Sequence, residues 1–331
     1  MAFTISRSKK APAICKIEST YGSDPTPTGA ADAFHTIDSA VTAAPNVSRI
    51  DFNTHGTSFT RPVGQMGART VGQRLNFMFE GAGTSAGTAH TTTALLRCCG
   101  LLETVSAGVS VTYAPQTIIG MESSTLVVEH DGVLHETNGF YANIRMVAGP
   151  RDGIRCSVDG RGLYQEPLQG TIDGHAPGTL LAKAFLNVGL TITPSGGSAY
   201  TPVLKSWSFN RGVVMEDVED ANSTTGINRL LITDADPTIE LSMALDTDSG
   251  ANLTYAGTAT TAIFENLQNA TTHAVAFSHA AGGTGNTLAF SGPTLQLVNA
   301  APAVAGGHRN VTLSYAARHA TADTEFLFTW T

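Results

Sequence analysis

The sequence predicts a mainly β protein arranged as two tandem units of several strands, each with one flanking α-helix. Three observations lead there. The dominant hydrophobic period is two, only two segments have a helical pattern, and the order of elements repeats after a Gly-rich joint.

The alternating runs are short and bounded by Gly, Asn, Pro and Asp, which end strands. In the first half they cover 74–80, 109–113, 125–130, 141–147 and 154–158. In the second half they cover 185–193, 204–209, 238–245, 294–298, 311–315 and 325–330. The two helical segments are 91–99, closed by Gly100, and 260–270, where Ile263, Leu267 and Ala270 share a face. Ala33 and Phe34 open a strand leading to 48–53, and Ala184 and Phe185 open one leading to 205–210. Each pair is followed by a long polar loop, a strand and the lone helix. These features divide the chain into an extended N-terminal arm (1–30), a first unit (31–170), a polar joint (169–178) and a second unit (178–331).

Composition narrows the function classes. The apolar fraction of 42% supports a packed core, whereas the charged fraction of 14% is far below the usual ~25%. So few charges suit a surface that is largely covered by neighbours, because interface cores are depleted in charge. The net charge is -8, and no basic stripe exists to grip phosphates, which argues against tight DNA binding. Cys15, Cys98, Cys99 and Cys156 have no C-x-x-C spacing and read as buried free thiols in a reducing cytoplasm. No apolar run has signal-peptide or membrane-spanning length, so the expectation is a soluble protein with no membrane partner.

Candidate chemistry is thin. Gly83, Ser85 and Gly87 match the G-x-S-x-G elbow of serine hydrolases, yet the Gly/Ala/Thr-rich surroundings suit a flexible loop. His130 and His135 could face one another across the turn at Asp131 and Gly132, without an evident third metal ligand. Asp246 to Gly250 lacks the glutamate that completes a calcium loop, and 282–286 lacks the lysine of a phosphate cradle. The expectation is therefore no catalytic, cofactor-binding or metal site. Two long loops stand out instead. Loop 212–229 mixes Val213, Val214, Met215 and Val218 with Glu216, Asp217, Glu219 and Asp220. The matching loop 54–73 carries Phe59, Val63 and Met66. Apolar side chains in such loops suit inter-ring or inter-subunit contacts, with Phe59, Val63, Met66, Val213, Val214, Met215, Glu216, Val218 and Glu219 as the candidates.

Three stretches carry a resemblance. Lys16-Ile-Glu-Ser-Thr-Tyr-Gly-Ser-Asp-Pro-Thr-Pro-Thr-Gly-Ala30 resembles the start of the major tail tube proteins of long-tailed, non-contractile (siphovirus) bacteriophages. So do Thr93-Ala-Leu-Leu-Arg-Cys-Cys-Gly-Leu-Leu-Glu-Thr104 with its trailing Val111-Thr-Tyr-Ala-Pro115, and Asp131-Gly132 followed by Asn138-Gly139. The likeness is strongest over 10–165 and weaker after Gly178. It implies a tail-tube-like β-sandwich or barrel fold with one flanking helix. Simple members carry one such fold and form hexameric rings, so the repeat read above, which gives two tandem tail-tube-like folds in this chain, departs from that pattern. The resemblance further implies rings stacked as a conduit for DNA ejection, and with two folds per chain three chains supply six, which makes the expected ring trimeric with pseudo-sixfold symmetry. The implied partners are other copies of the chain, tail tip and head-proximal terminator proteins, and DNA in transient passage. The place would be the virion tail, assembled in the bacterial host cytoplasm. The competing readings are a β-rich host-recognition or fibre protein and a hydrolase using Ser85.

Overall fold

A computed structural model describes residues 11–37, 42–51, 63–83, 85–116, 120–197, 199–244, 263–280, 284–305, 307–318 and 323–331. The first half contains β1 (Ala13–Ile17), β2 (Ala33–Phe34), β3 (Thr42–Ile50), β4 (Gln65–Met78) and α1 (Thr93–Arg97). It continues with β5 (Leu101–Ser106), β6 (Ser110–Pro115), β7 (Ser124–Glu129), β8 (Val133–Ala148), β9 (Arg155–Tyr164) and β10 (Leu168–Gln169). The second half contains β11 (Thr191–Pro194), β12 (Leu204–Asn210), β13 (Val213–Glu219), β14 (Ile227–Ala235) and β15 (Thr238–Ala244). After α2 (Ile263–Gln268) come β16 (Thr272–Ala280), β17 (Thr287–Ala305), β18 (His308–Ala317) and β19 (Leu327–Trp330).

All pairings are antiparallel, and every strand except β13 and β14 belongs to one connected 17-stranded network. Within it lies a continuous run, β3-β4-β9-β8-β12-β15-β18-β17. The first four of these strands come from the first half and the last four from the second. They are joined where Trp207, Ser208, Phe209 and Asn210 of β12 pair with Ala148, Val147, Met146 and Arg145 of β8. The N-terminal stretches of β8 and β17 bend away to pair with β7 and β16, which in turn carry β1 and β11. The pairing order β1-β7-β8-β9-β4-β3 therefore recurs as β11-β16-β17-β18-β15-β12. One short helix lies between corresponding strands in each half, α1 after β4 and α2 after β15.

Alternation explains the inward face. Leu75 and Phe77 of β4, Ile144 and Met146 of β8, Trp207 and Phe209 of β12, and Ile239, Leu241 and Met243 of β15 are all buried at spacing two. One apolar cluster contains residues of both halves. Its densest part is aromatic: Phe79 of the first half meets Phe328 and Trp330 of the C-terminal strand at ring-centre distances of 5.7 and 5.1 Å. Trp207 packs against Phe277 and Phe290 at 5.2 and 5.7 Å. Such edge-on pairs add to what burial alone contributes.

Several expectations change. Residues 13–17, assigned to an extended arm, form β1 in the interior, paired with β7 through all five residues. The polar loop 212–229 is a hairpin, because Val213 and Met215 alternate with Val214 and Glu216 and find an apolar floor. In loop 54–73, residues 65–73 already belong to β4, while 54–62, with Phe59, lie outside the described residues. Strand 48–53 is displaced to 42–50, and strand 294–298 is part of the 19-residue β17. The first helix is shorter than its pattern suggested, α2 ends at Gln268 instead of Ala270 while 260–262 lie outside the described residues, and α2 packs Leu267 against the core.

Candidate functional site

The hairpin β13–β14 is the most distinctive surface feature. It grows from β12 and is rooted by two asparagines: Asn143 Nδ2 donates to Asn210 Oδ1 at 2.9 Å, and Asn143 Oδ1 accepts the Val213 amide at 3.1 Å. From there it lies across β8, β9 and β4. Arg161 of β9 donates to Met215 O at 2.8 Å and pairs with Asp217 at 3.2 Å. Near the hairpin's tip the Arg69 amide of β4 donates to Thr225 O at 2.9 Å. Beneath it, Ile227, Leu230 and Ile232 form a small buried cluster with Tyr141, flanked by Val213, Met215, Tyr21 and Leu163.

This floor is where two of the three stretches that carry the resemblance meet. The Glu18 carboxylate is buried and accepts four hydrogen bonds, from the Gly22 and Gly139 amides and the Ser123 and Thr125 hydroxyls, at 2.6–2.8 Å. Gly139 has φ +61, and a Cβ there would sit 2.5 Å from the Tyr21 ring, so only glycine fits. Tyr21 stacks on Tyr141 at 6.0 Å between ring centres, and the Arg229 guanidinium lies over the Tyr21 ring, 5.7 Å from its centre. Burial pushes the Tyr21 hydroxyl's pKa up, which keeps it a neutral donor. The third stretch supports the same region from below: the Ala142 amide of β8 donates to Cys98 O at the end of α1.

The candidate contact residues fall into two sets. Val213 and Met215 face the hairpin's own floor and are half-buried. Val214, Glu216, Val218 and Glu219 are exposed, as is Leu231, which pairs with Glu216 and which the sequence reading passed over. Val63, two residues before β4, and Met66, at its start, are 92% and 73% exposed. They lie beside the end of β3, where Ile50 is exposed as well. Val298 and Val304 are exposed on the far half of β17.

Elsewhere, Ser85 Oγ shares a hydrogen bond with Thr88 Oγ1 at 2.8 Å. The rings of His130 and His135 meet edge-on at 5.0 Å across a two-residue turn in which Asp131 and Gly132 both have positive φ. Burial lowers both imidazole pKa values, and among the described residues no group of three side chains is placed to hold a metal ion. The stretch 246–250 lies outside the described residues, as do 282 and 283, while Asn286 Oδ1 accepts the Gly81 amide. All four cysteines are free and buried, and burial pushes the Cys15, Cys99 and Cys156 thiols up. Among the described residues no helix is long and apolar enough to cross a membrane.

The fold and these surfaces define a mainly β, antiparallel protein with exposed apolar side chains on the β13–β14 hairpin and at two places along its sheet, as well as on β5 and its turn to β6, where Leu102, Val105 and Val109 are exposed. No protein-family model matches this chain, and no curated protein matches it.

Proposed function

We propose that this chain is the structural subunit of the tube of a long, non-contractile phage tail, assembling into stacked rings through which DNA passes. The observation that carries the reading is the repeated pairing order, β1-β7-β8-β9-β4-β3 and then β11-β16-β17-β18-β15-β12. Two equivalent units in one chain let three chains supply six, giving a closed ring of pseudo-sixfold symmetry. Rings that stack head-to-tail without closing give a filament. The resemblance of 16–30, 93–115 and 131–139 supports the same assignment, and so does the low charged fraction of 14%. An acidic chain with no basic stripe suits a channel that releases DNA, since like charges do not adhere. In this reading the protein performs no catalysis; its work is geometry, with tail tip and terminator proteins capping the ends.

Negative-stain microscopy of the purified protein tests it. The expected images show rings or tubes with a central channel. Monomers, or rods without a channel as a fibre protein would form, contradict it.

A further inference from the structure

The eight-stranded run β3-β4-β9-β8-β12-β15-β18-β17 has two ends that no strand among the described residues covers. β3 pairs with β4 along one edge, and no strand among the described residues pairs with its other edge. Among the described residues, the second half of β17, from Val298 to Ala305, pairs with no strand but β18. Corresponding positions elsewhere in the fold are not open. In the repeated order, β12 takes the place of β3 and β8 takes the place of β17. These two pair with each other inside the chain, antiparallel, through residues 145–148 and 207–210.

We propose that β3 of one copy pairs antiparallel with the 298–305 stretch of β17 in a second copy, reproducing between chains the β12–β8 junction found within each. The proposal rests on the reading of a self-assembling protein and adds which edges meet. It needs no new kind of contact, since the molecule already contains one example of the joint. Because the two open edges are different surfaces, the contact is heterologous and propagates around a ring instead of stopping at a dimer.

Three further features fit a covered edge. Exposed apolar side chains sit beside both ends: Ile50, Val63 and Met66 at β3, and Val298 and Val304, the last 77% exposed, on β17. The 298–305 stretch, Val-Asn-Ala-Ala-Pro-Ala-Val-Ala, has no charged residue, whereas an edge meant to stay free is normally blunted by charge. Small side chains also let a neighbouring backbone approach. Pro45 and Pro302 each withhold one ladder donor. The internal junction is only four residue pairs long, so a ladder to one side of each proline matches it.

Cysteine cross-linking of the full chain tests the pairing. Asn46→Cys on β3 is combined in turn with Asn299→Cys, Ala301→Cys and Ala303→Cys on β17, which brackets the register. Val109→Cys at the tip of the β5–β6 hairpin, paired with Asn46→Cys, is the control. The native thiols are buried and stay silent. Mild oxidation of assembled protein is expected to convert most of the chain of at least one β3–β17 pair into covalent multimers, with none for the control. Assembled rings in which none of the three pairs cross-links, or in which the control cross-links as well, overturn the edge assignment while leaving self-assembly intact. A chain that stays monomeric by mass in every variant and in the parent overturns both this pairing and the proposed function.

Discussion

The Tyr21 hydroxyl accepts the Leu230 amide at 2.7 Å and donates to Gly139 O at 3.2 Å, tying together residues 209 positions apart. One side chain from near the N-terminus thus pins the β13–β14 hairpin to the turn of β8. The hairpin is held against its own chain, and what it offers outward is the Val214, Glu216, Val218 and Leu231 face.

Tyr21→Phe removes both bonds and leaves the Leu230 amide without its acceptor, while the ring can still stack on Tyr141. A donor left unsatisfied in this way costs about 1–3 kcal/mol. Equilibrium unfolding in urea is expected to show that loss, and limited proteolysis to show faster cleavage within 213–235. Unchanged stability and cleavage would mean that the clamp contributes nothing.

Replacing Val214, Val218 and Leu231 together by Ser leaves the buried cluster of Ile227, Leu230 and Ile232 untouched. Surface changes of this kind stay within about 0.5 kcal/mol each. The thermal midpoint is expected to move little, and the length of assembled tubes to fall sharply. Tubes as long as the parent's would make the outer face a solvated surface with no part in assembly.

A third expectation concerns acid. His273 Nδ1 shares a hydrogen bond with the Tyr315 hydroxyl at 2.9 Å, and its Nε2 is buried with no hydrogen-bond partner. Burial lowers its pKa from 6.5 to about 4. The unfolded chain therefore binds a proton that the folded one refuses between those values. The stability from neutral His273 is complete above about pH 6.5 and is lost as pH falls toward 4, by up to about 3 kcal/mol. His90, also lowered to about 4 by burial and by His35, contributes with the same sign. Glu80, whose pKa burial raises, opposes them as it takes up its proton. His273→Gln is expected to flatten the acid limb of a stability–pH curve, whatever it does to stability at pH 7. An unchanged slope would show that His273 does not titrate this way.

The parts of the fold legible in the sequence are those buried on one face. Alternation at 141–147, 204–209 and 238–245 marks β8, β12 and β15, because those strands line the apolar cluster. The strands misread are those with little to bury. The second half of β17 is a run of Ala, Val, Asn and Pro, and β3 mixes Ala43, Ala44, Pro45 and Asn46 with Ser48 and Arg49, so neither has the β-branched and aromatic density that signals a strand. Pairing on one side and exposure on the other erase their period. The same cause hid the hairpin: Val214 and Val218 look outward and Val213 and Met215 inward, so no polar face alternates with an apolar one. The candidate contacts were visible as apolar residues in polar company, but the Tyr21–Leu230 clamp links positions that no local pattern connects. The two open edges could be seen only once strand order was known, since an edge is a property of pairing.

The most direct test of the central claim is the native mass of a single ring released from assembled tubes. The proposed reading of two equivalent units per chain predicts three chains per ring, about three times the 34.4 kDa of one chain. A ring of six chains would contradict the account, because the repeated strand order would then have no role in closing it.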